Sequence, residues 1–342
     1  MPSQLENAIA TFRRELLANE RSAASAMVRA YGQAWVDISA QIADIQRELR
    51  GVANPALAYR ERYLLAVRQQ VAQKLAEFAR LAEASTLVTQ QAAATAALTN
   101  AATMANIVSG GAVQGFYTRP PAEAIEALIG AASDGSPLNE LFGELFDHAD
   151  DVADTFASGL AAGLNPREIA DMLRAQFGVP LTRALIIART ETLRAYREAA
   201  WLSFQQNRDI ISGWIWISAA DRRSCVSCIA MHGSRHRLDE KLDDHPNGRC
   251  VMAPIVKGFP APDIAPGAER FKALSEEDQL RVMGPAMLTA WRNGMIDLTP
   301  TGKHSVVGRR KSRRWGTMRY AKSLRAILGD ELAAQFLRAA LV

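Results

Sequence analysis

The sequence predicts a mainly α-helical protein with a small α+β domain. Its parts are a long N-terminal helical hairpin, a helical middle and a small three-stranded sheet that carries a Cys/His cluster. Apolar residues recur every three or four positions through the first hundred residues, which is typical of long amphipathic helices. All three cysteines lie within 26 residues of one another. A composition of 49% hydrophobic and 22% charged residues excludes wholesale disorder and collagen-like repeats.

Residues 1–120 are predicted to form a long helical arm. The first helix, over 3–50, opens with Ser3 and Glu6 at the spacing of a capping box. A second helix is expected over 56–109, and the two should pair as an antiparallel hairpin through which the protein could associate with itself. The apolar stripe of the first helix comprises Tyr31, Trp35, Ile38, Ile42, Ile45 and Leu49.

Residues 84–118 contain no charged side chain and are rich in Ala, Thr and Ser. Small side chains allow helices to approach closely, and they are too weakly apolar to favour a lipid bilayer. Two interpretations stay open: a buried contact with another subunit or partner, and a loosely ordered spacer.

The middle of the chain is predicted to be helical to about residue 207. Asn165 and Pro166 form a strong start signal, because Asn caps the first turn and Pro at the first helical position loses no hydrogen bond. That helix should end near 178–180, and the next should cover 181–206. Extended segments follow, at 213–218, 234–238 and 249–255.

The cysteines and one histidine have the spacing of a closed zinc site. A Cys-x-x-Cys pair places two thiolates on one ion, and a histidine with a third cysteine completes a tetrahedral structural site that stabilises the fold. The residues are Cys225, Cys228, His245 and Cys250. Two alternatives stay open, a disulfide in a mature particle outside the cell and unligated thiols in the core. His232 and His236 are spare candidate ligands that fit better as polar residues of a hairpin.

Other functions of this cluster are excluded by its pattern. A zinc deaminase needs His-x-Glu, which the chain lacks, and a thioredoxin-like dithiol needs a strand-to-helix turn within a βαβ unit. The chain shows no secretory signal and no apolar run of about 18 residues, so no membrane span is expected. A cytoplasmic site of synthesis is therefore predicted.

The basic character of the chain is concentrated near its C-terminus. Nine basic residues and no acidic one lie between Lys303 and Arg325, which leaves the remainder with a net charge of −5 against +4 for the whole. Such a cluster is typical of a phosphate-binding surface, although a solvated flexible tail is the alternative. Trp315 and Tyr320 either stack on nucleic acid or anchor an amphipathic helix over 318–341. The candidate DNA contacts are Lys303, Arg309, Arg310, Lys311, Arg313, Arg314 and Arg319.

Three spaced motifs support a family resemblance. They are Ala188-Arg189-Thr190-Glu191, then Asp221-x-Arg223-x-Cys225-x-x-Cys228, then His245-Pro246-x-x-Arg249-Cys250. Together they resemble the phage head morphogenesis domain of the Mu F-like minor head protein family over about residues 125–256. One departure is Gly248, where the family commonly has a cysteine, so zinc binding here rests on the four residues above.

The resemblance implies a non-enzymatic minor head protein of a tailed bacteriophage or prophage. Such a protein lies in the virion at or near the portal vertex, contacts the portal protein, other head proteins and packaged double-stranded DNA, and acts in head assembly and in DNA packaging or ejection. The chain would divide into the arm (1–120), the Mu F-like domain (121–258) and a helical extension with the basic segment (259–342). Arg189 and Glu191 are expected to form a structural ion pair or to cap strand-end amides.

Two rival functions have weaker support in the sequence. A nuclease or toxin-delivery protein could be built on the same domain, but no paired carboxylates with a histidine and no phosphate-binding loop stand out after it. A sequence-specific zinc ribbon would need a recognition helix between its ligands, and the basic residues lie more than 50 positions away.

Overall fold

The computed structural model describes residues 3–49, 57–144, 166–312 and 316–339, together with residues 151, 154, 155 and 158. The helices are α1 (Gln4–Leu49), α2 (Leu57–Val108), α3 (Ala122–Glu126), α4 (Leu138–Gly143), α5 (Pro166–Gln206), α6 (Val226–Met231), α7 (Gly267–Lys272), α8 (Glu276–Met283), α9 (Pro285–Arg292), α10 (Leu324–Leu328) and α11 (Asp330–Ala339). The strands are β1 (Ile211–Ile217), β2 (Arg235–Arg237), β3 (Val251–Val256), β4 (Val307–Ser312) and β5 (Gly316–Ala321). The predicted fold class, mainly α with a small α+β part, is confirmed.

The chain divides into two compact units, each assembled from segments that are distant in sequence. The hairpin unit comprises Leu17–Gln90 and Gly130–Thr192. The sheet unit comprises Met1–Leu16, Gln91–Ile129 and Leu193–Val342. The long helices α1, α2 and α5 contribute residues to both units.

In the hairpin unit, α1 packs against α2 through its predicted apolar stripe. Tyr31 and Ile38 are buried in one core with Leu75 and Phe78, and the rings of Tyr31 and Phe78 meet edge to face with centroids 4.6 Å apart. Asp37 and Lys74 form an ion pair of 2.9 Å between the same helices. The N-terminal helical hairpin is therefore confirmed. The side chains of Ile42, Ile45 and Leu49 lie outside the described residues.

The start of α1, which belongs to the sheet unit, has the predicted capping box. The Ser3 N–H donates to Glu6 Oε2 at 2.9 Å, and the Glu6 N–H donates to Ser3 Oγ at 3.2 Å. Two amides that the helix itself leaves unbonded are satisfied in this way.

The sheet unit contains an antiparallel three-stranded sheet with strand order β2-β1-β3. Trp214 and Trp216 of β1 are fully buried and supply much of its core. Glycine is required at position 213, because a Cβ there would lie 2.4 Å from the carbonyl oxygen of His236 on β2. The predicted strands thus exist, with boundaries one or two residues from those expected.

The uncharged segment 84–118 is helical as far as Val108, and in the sheet unit the small side chains on one face of this helix are buried. Ala97 and Ala101 pack in one core with Tyr196 and Phe204 of α5, and Asn100 Nδ2 donates to the Tyr196 hydroxyl at 3.1 Å. The spacer interpretation was wrong, since the helix is packed over this length. The chain itself covers this buried face, and a contact of the exposed residues with another subunit or partner stays a prediction.

The predicted helix break at 178–180 is wrong, because α5 continues through Pro180 without interruption. Proline removes one backbone hydrogen bond and crowds the preceding turn, at a cost of about 3 kcal/mol. Ala184 and Ile187, within the next two turns, are buried in the core of the hairpin unit, and Leu181 packs against it. Burial of the turns that follow Pro180 therefore outweighs the local signal for a helix break.

The C-terminal region contains a β-hairpin that the sequence analysis did not predict. Strands β4 and β5 pair antiparallel from Val307 with Ala321 to Ser312 with Gly316, so the basic segment is not the solvated flexible tail that was one alternative. The predicted helix over 318–341 is wrong at its start, since residues 318–321 belong to β5 and helices follow only at α10 and α11. Helix α8 begins after a Ser275 cap, in which the Asp278 N–H donates to Ser275 Oγ at 3.2 Å.

Candidate metal centre and basic hairpin

Helix α6 and the loop that leads into β3 bring two cysteines and a histidine together. We call Cys225, Cys228 and His245 the Cys/His cluster. The two Sγ atoms are 3.5 Å apart, and His245 Nε2 lies 3.1 Å from Cys225 Sγ and 3.2 Å from Cys228 Sγ. Cys225 also caps α6, since its Sγ accepts the Cys228 N–H at 3.4 Å. The short helix therefore fixes the spacing of the two thiols.

The imidazole ring of His245 is held with Nε2 facing the thiols. Its other ring nitrogen, Nδ1, lies 2.7 Å from the carbonyl oxygen of Pro246, which keeps a proton on Nδ1 and makes Nε2 the nitrogen that faces the cluster. A histidine held in this manner is typical of a metal ligand.

The fourth predicted ligand, Cys250, belongs to a second group of donors. The ligand atoms of Cys228, Asp244 and Cys250 lie within 4.8 Å of one another, as do those of the Cys/His cluster. Cys228 is therefore shared by both groups. Asp244 was not predicted, although it directly precedes His245 in the sequence.

Asp244 is buried and tied to a buried arginine. Its Oδ2 atom lies 2.9 Å from Arg197 Nη2, and the exposed fractions of the two side chains are 1% and 10%. Arg197 Nε also donates to the Cys250 carbonyl at 2.9 Å, and its Nη2 donates to the Gly248 carbonyl at 2.5 Å. Arg197 thus links α5 to the loop 244–250. The sequence analysis gave Arg197 no role.

The Asp244 carboxylate fills the space that a side chain at position 248 would need. A Cβ at this position would lie 2.0 Å from Asp244 Oδ2, so any side chain would displace the carboxylate. Gly248 has no positive φ, so the restriction is steric, and the three atoms nearest to such a Cβ all belong to the Asp244 carboxylate.

The contacts within the Cys/His cluster favour a Cys225 thiolate beside a protonated His245. The hydrogen bond with Cys228 and the neighbouring His245 lower the pKa of the Cys225 thiol to about 4. Burial opposes protonation of His245, but its contacts with Cys225 and Asp244 prevail and raise its pKa to about 9. The hydrogen bond with Cys225 raises the pKa of Cys228. The ring proton of His245 is one that a bound metal would displace.

These donors fit a zinc ion in kind and in spacing. Tetrahedral zinc with bonds of about 2.0–2.3 Å separates its ligand atoms by about 3.3–3.8 Å, close to the 3.1–3.5 Å found here. A cavity of about 20 Å³ is lined by the four predicted ligands, which is enough for one ion or water. The Sγ separation of 3.5 Å is far beyond the length of a disulfide bond.

The remaining motif residues form the walls of the site. Arg249 makes a bidentate ion pair with Asp221, with distances of 2.9 and 2.6 Å. Burial alone would raise the pKa of Asp221, but this pair lowers it to about 2. The spare candidates lie elsewhere: His232 Nδ1 accepts the Ser218 N–H, and His236 contacts Ser234 and Glu240.

Arg189 and Glu191 lie in the hairpin unit. Arg189 forms an ion pair with Glu20 of α1. The Glu191 side chain is fully buried. The structure thus pairs Arg189 with a residue that the sequence analysis did not name.

The predicted DNA contacts fall mainly on β4 and β5, which we call the basic hairpin. Arg309, Arg310 and Lys311 are exposed on β4, and Lys303 is exposed in the preceding loop. Arg310 lies over the ring of Tyr320, 5.4 Å from its centroid, so Tyr320 belongs to the strand pair and not to a helix. Arg313, Arg314 and Trp315 lie outside the described residues.

Arg319, one of the predicted DNA contacts, is instead bound to Asp243 within the sheet unit. Its side chain is 16% exposed, its Nε lies 2.7 Å from Asp243 Oδ1, and its N–H donates to the Asp243 carbonyl at 2.8 Å. Arg309 reaches the same carboxylate at 3.0 Å while remaining 62% exposed. Asp243 therefore fastens the basic hairpin to the loop that carries Asp244 and His245.

Comparison with known proteins adds a family to this geometry. Residues 150–253 match the family described as Phage Mu protein F like protein. This segment is thus a Mu F-like phage head morphogenesis domain, as predicted. No curated protein and no solved structure matches the chain. Among the described helices, none is long and apolar enough to cross a membrane.

The match covers less than half of the chain and supports a protein of phage head morphogenesis.

Proposed function

From the Mu F-like domain at residues 150–253 we propose that the protein is a minor head protein at or near the portal vertex, where it contacts the portal protein and packaged double-stranded DNA. The observation that carries this proposal is the domain itself, joined in the same chain to an exposed basic hairpin. The role is structural and not catalytic: it lies in head assembly and in DNA packaging or ejection.

Zinc would stabilise the part of the sheet unit that is formed by α6 and the loop 244–250. Cys225, Cys228 and His245 would hold it, and the predicted fourth ligand is Cys250, which lines the same cavity and whose ligand atom lies within 4.8 Å of that of Cys228. The ion would tie α6 to this loop, and a four-ligand site leaves no position at which to activate water. Because Asp243 in the same loop fastens the basic hairpin, an ordered loop also orders the DNA-facing strands.

The location is tested on purified particles of the phage or prophage that carries this chain. Labelling of the protein, or an asymmetric cryo-EM reconstruction, is expected to show it at one vertex, that of the portal. Equal labelling of all vertices, or particles without the protein, would contradict the proposal.

The DNA contact is tested through its salt dependence. Each phosphate contact contributes about 0.9 to the slope of log K against log salt concentration, because a bound cation releases counterions. Lys311→Ala combined with Arg310→Ala in the full chain is expected to lower the slope by about 1.8. DNA affinity is measured by fluorescence anisotropy over a range of salt concentrations.

A matched control is Arg281→Ala, which removes an exposed charge from α8 outside the basic hairpin. This variant is expected to keep the wild-type slope. A double variant with the same slope as the wild type would show that the hairpin does not contact phosphates.

A further inference from the structure

Cys250 is the predicted ligand whose position the Cys/His cluster does not fix, and this inference rests on the proposed metal site. Its ligand atom lies within 4.8 Å of that of Cys228, but it is not part of the close group that Cys228 forms with Cys225 and His245. The Cys250 side chain is buried in the core of the sheet unit, directly before β3. Ligand atoms of metal sites are commonly held by hydrogen bonds from residues that do not touch the metal. A buried donor beside Cys250 would do this here.

Strand pairing places Trp216 on the same face of the sheet as Cys250. The register pairs Trp216 of β1 with Met252 of β3. Because successive side chains along a strand alternate between the two faces, Cys250, two residues before Met252, shares the face of Trp216. The two residues are diagonal neighbours across the strand pair, a separation that an aromatic side chain can reach over.

The indole N–H of Trp216 is a buried donor that lacks an acceptor. The side chain is 1% exposed, and no described residue accepts a hydrogen bond from its Nε1. Trp214, two residues earlier on β1, is equally buried, but its indole N–H donates to the Glu240 carbonyl at 3.0 Å. Leaving a buried N–H unpaired is costly, so the Trp216 donor requires an explanation that Trp214 does not.

The Cys250 sulfur is the acceptor that metal binding would supply. Burial raises the pKa of the Cys250 thiol, whereas Cys228, Arg197 and the neighbouring Trp216 N–H act in the opposite direction. A neutral thiol is only a weak acceptor. A thiolate carries the negative charge that makes a hydrogen bond about twice as strong as a neutral one. The indole N–H is therefore suited to the metal-bound form of Cys250.

The neighbours of Trp216 hold its ring in place. The guanidinium of Arg319 lies over the ring, 5.7 Å from its centroid, and Arg319 is itself bound to Asp243. The ring of His236 packs against it with centroids 5.9 Å apart. Because the ring is enclosed in this way, its N–H is kept from bulk solvent and stays on the side of the buried groups.

We propose that Trp216 is a positioning residue of the metal site, whose indole N–H donates a hydrogen bond to the metal-bound thiolate of Cys250. This hydrogen bond holds the sulfur at the fourth ligand position and neutralises part of its charge in a buried place. Since Arg319 of β5 lies over the same ring, Trp216 also joins the metal site to the basic hairpin.

The first test compares two tryptophan variants of the full chain loaded with Co²⁺, whose charge-transfer absorption reports bound thiolates. Trp216→Phe is expected to weaken cobalt affinity about tenfold. It should also move the charge-transfer band to lower energy, because the thiolate loses a donor that stabilises its electrons. Trp214→Phe is the matched control, since it removes an equally buried indole and its N–H from the same strand. This control should leave both affinity and band unchanged.

A second measurement detects the hydrogen bond itself. The full chain is loaded with ¹¹³Cd²⁺, a soft ion that prefers thiolate ligands, and its indole nitrogens are labelled with ¹⁵N. One indole signal is expected to show a coupling to the metal that passes through the hydrogen bond. This signal should be lost in Trp216→Phe and kept in Trp214→Phe. A role of Trp216 in core packing alone would produce no such coupling.

The results separate this inference from the proposed metal site. Equal effects of Trp216→Phe and Trp214→Phe on affinity and band, or a metal-loaded chain without the coupling, overturn the role of Trp216 and leave the metal site in place. Cys250→Ser is expected to lower the charge-transfer intensity by about a third, because one of three thiolate ligands is lost. An unchanged intensity also overturns the inference, since Cys250 is then not a ligand. If the wild-type chain binds neither Co²⁺ nor Cd²⁺, the metal site of the proposed function fails and this inference fails with it.

Discussion

Replacing Cys228 with serine is expected to lower the melting temperature of the metal-loaded protein by about 8–16 °C. Cys228 is the donor shared by both groups of the site, so its loss removes metal binding whichever fourth ligand completes it. With free zinc 1,000-fold above its dissociation constant, binding to the folded state adds about 4 kcal/mol of stability. For a domain of 150–250 residues each kcal/mol changes the melting temperature by about 2–4 °C.

The control for this prediction is a chelator. The wild type treated with chelator is expected to melt at the temperature of Cys228→Ser, and chelator should leave the variant unchanged. Differential scanning fluorimetry on the four samples completes the cycle. The prediction would be contradicted if Cys228→Ser lowered the melting temperature while chelator left that of the wild type unchanged. Cys228 would then stabilise the core as a thiol and not as a metal ligand.

Arg197→Ala is expected to reduce the free energy of unfolding by about 3–5 kcal/mol. The substitution leaves the Asp244 carboxylate buried without its cation, and it also breaks the hydrogen bonds to the Cys250 and Gly248 carbonyls. Unpaired buried charges cost far more than the pair itself contributes. Denaturant unfolding of the full chain, monitored by tryptophan fluorescence, measures the change.

A matched control is Arg237→Ala on β2 in the same unit. Arg237 pairs with Asp239 at 2.8 Å, but the two side chains are 79% and 64% exposed, so the loss should be within about 1 kcal/mol. Arg197→Lys should fall between the two, since it keeps the charge but not the fork of donors. A cost of Arg197→Ala no greater than that of Arg237→Ala would contradict the role given to this pair.

The long helices and the ligand spacing could be predicted because their signals are local. The capping box at Ser3 and Glu6 and the Cys-x-x-Cys pair involve residues three positions apart. The helix break expected at Pro180 failed because that prediction used only local preference. Burial of Ala184 and Ile187 in a distant core decided the outcome.

The basic hairpin was missed because its strands carry almost no hydrophobic alternation. On β4 only Val307 is buried, and on β5 Met318 is the buried residue among exposed and half-exposed polar neighbours. The sequence showed only the cluster of basic residues, which predicts an exposed, positively charged surface but not its secondary structure. Tyr320 packs against Gly308 of the partner strand, a contact that sequence periodicity does not show.

The supporting residues of the metal site are hidden from sequence reasoning for a similar reason. Arg197 and Asp244 are separated by 47 positions, and Asp243 and Arg319 by 76. Arginines and aspartates are normally surface residues, so nothing in the pattern marks these as buried partners. The doublet Asp243-Asp244 immediately before His245 was the one available signal.

The central claim is that a metal ion joins α6 to the loop 244–250, which lies in the Mu F-like domain and holds the basic hairpin through Asp243. The metal content of the purified full chain tests this claim most directly. Mass spectrometry under native conditions, together with elemental analysis, is expected to find about one zinc per chain, and none in Cys228→Ser. A wild-type chain that is folded and stable but contains no zinc, even after dialysis against a zinc-containing buffer, would contradict the account.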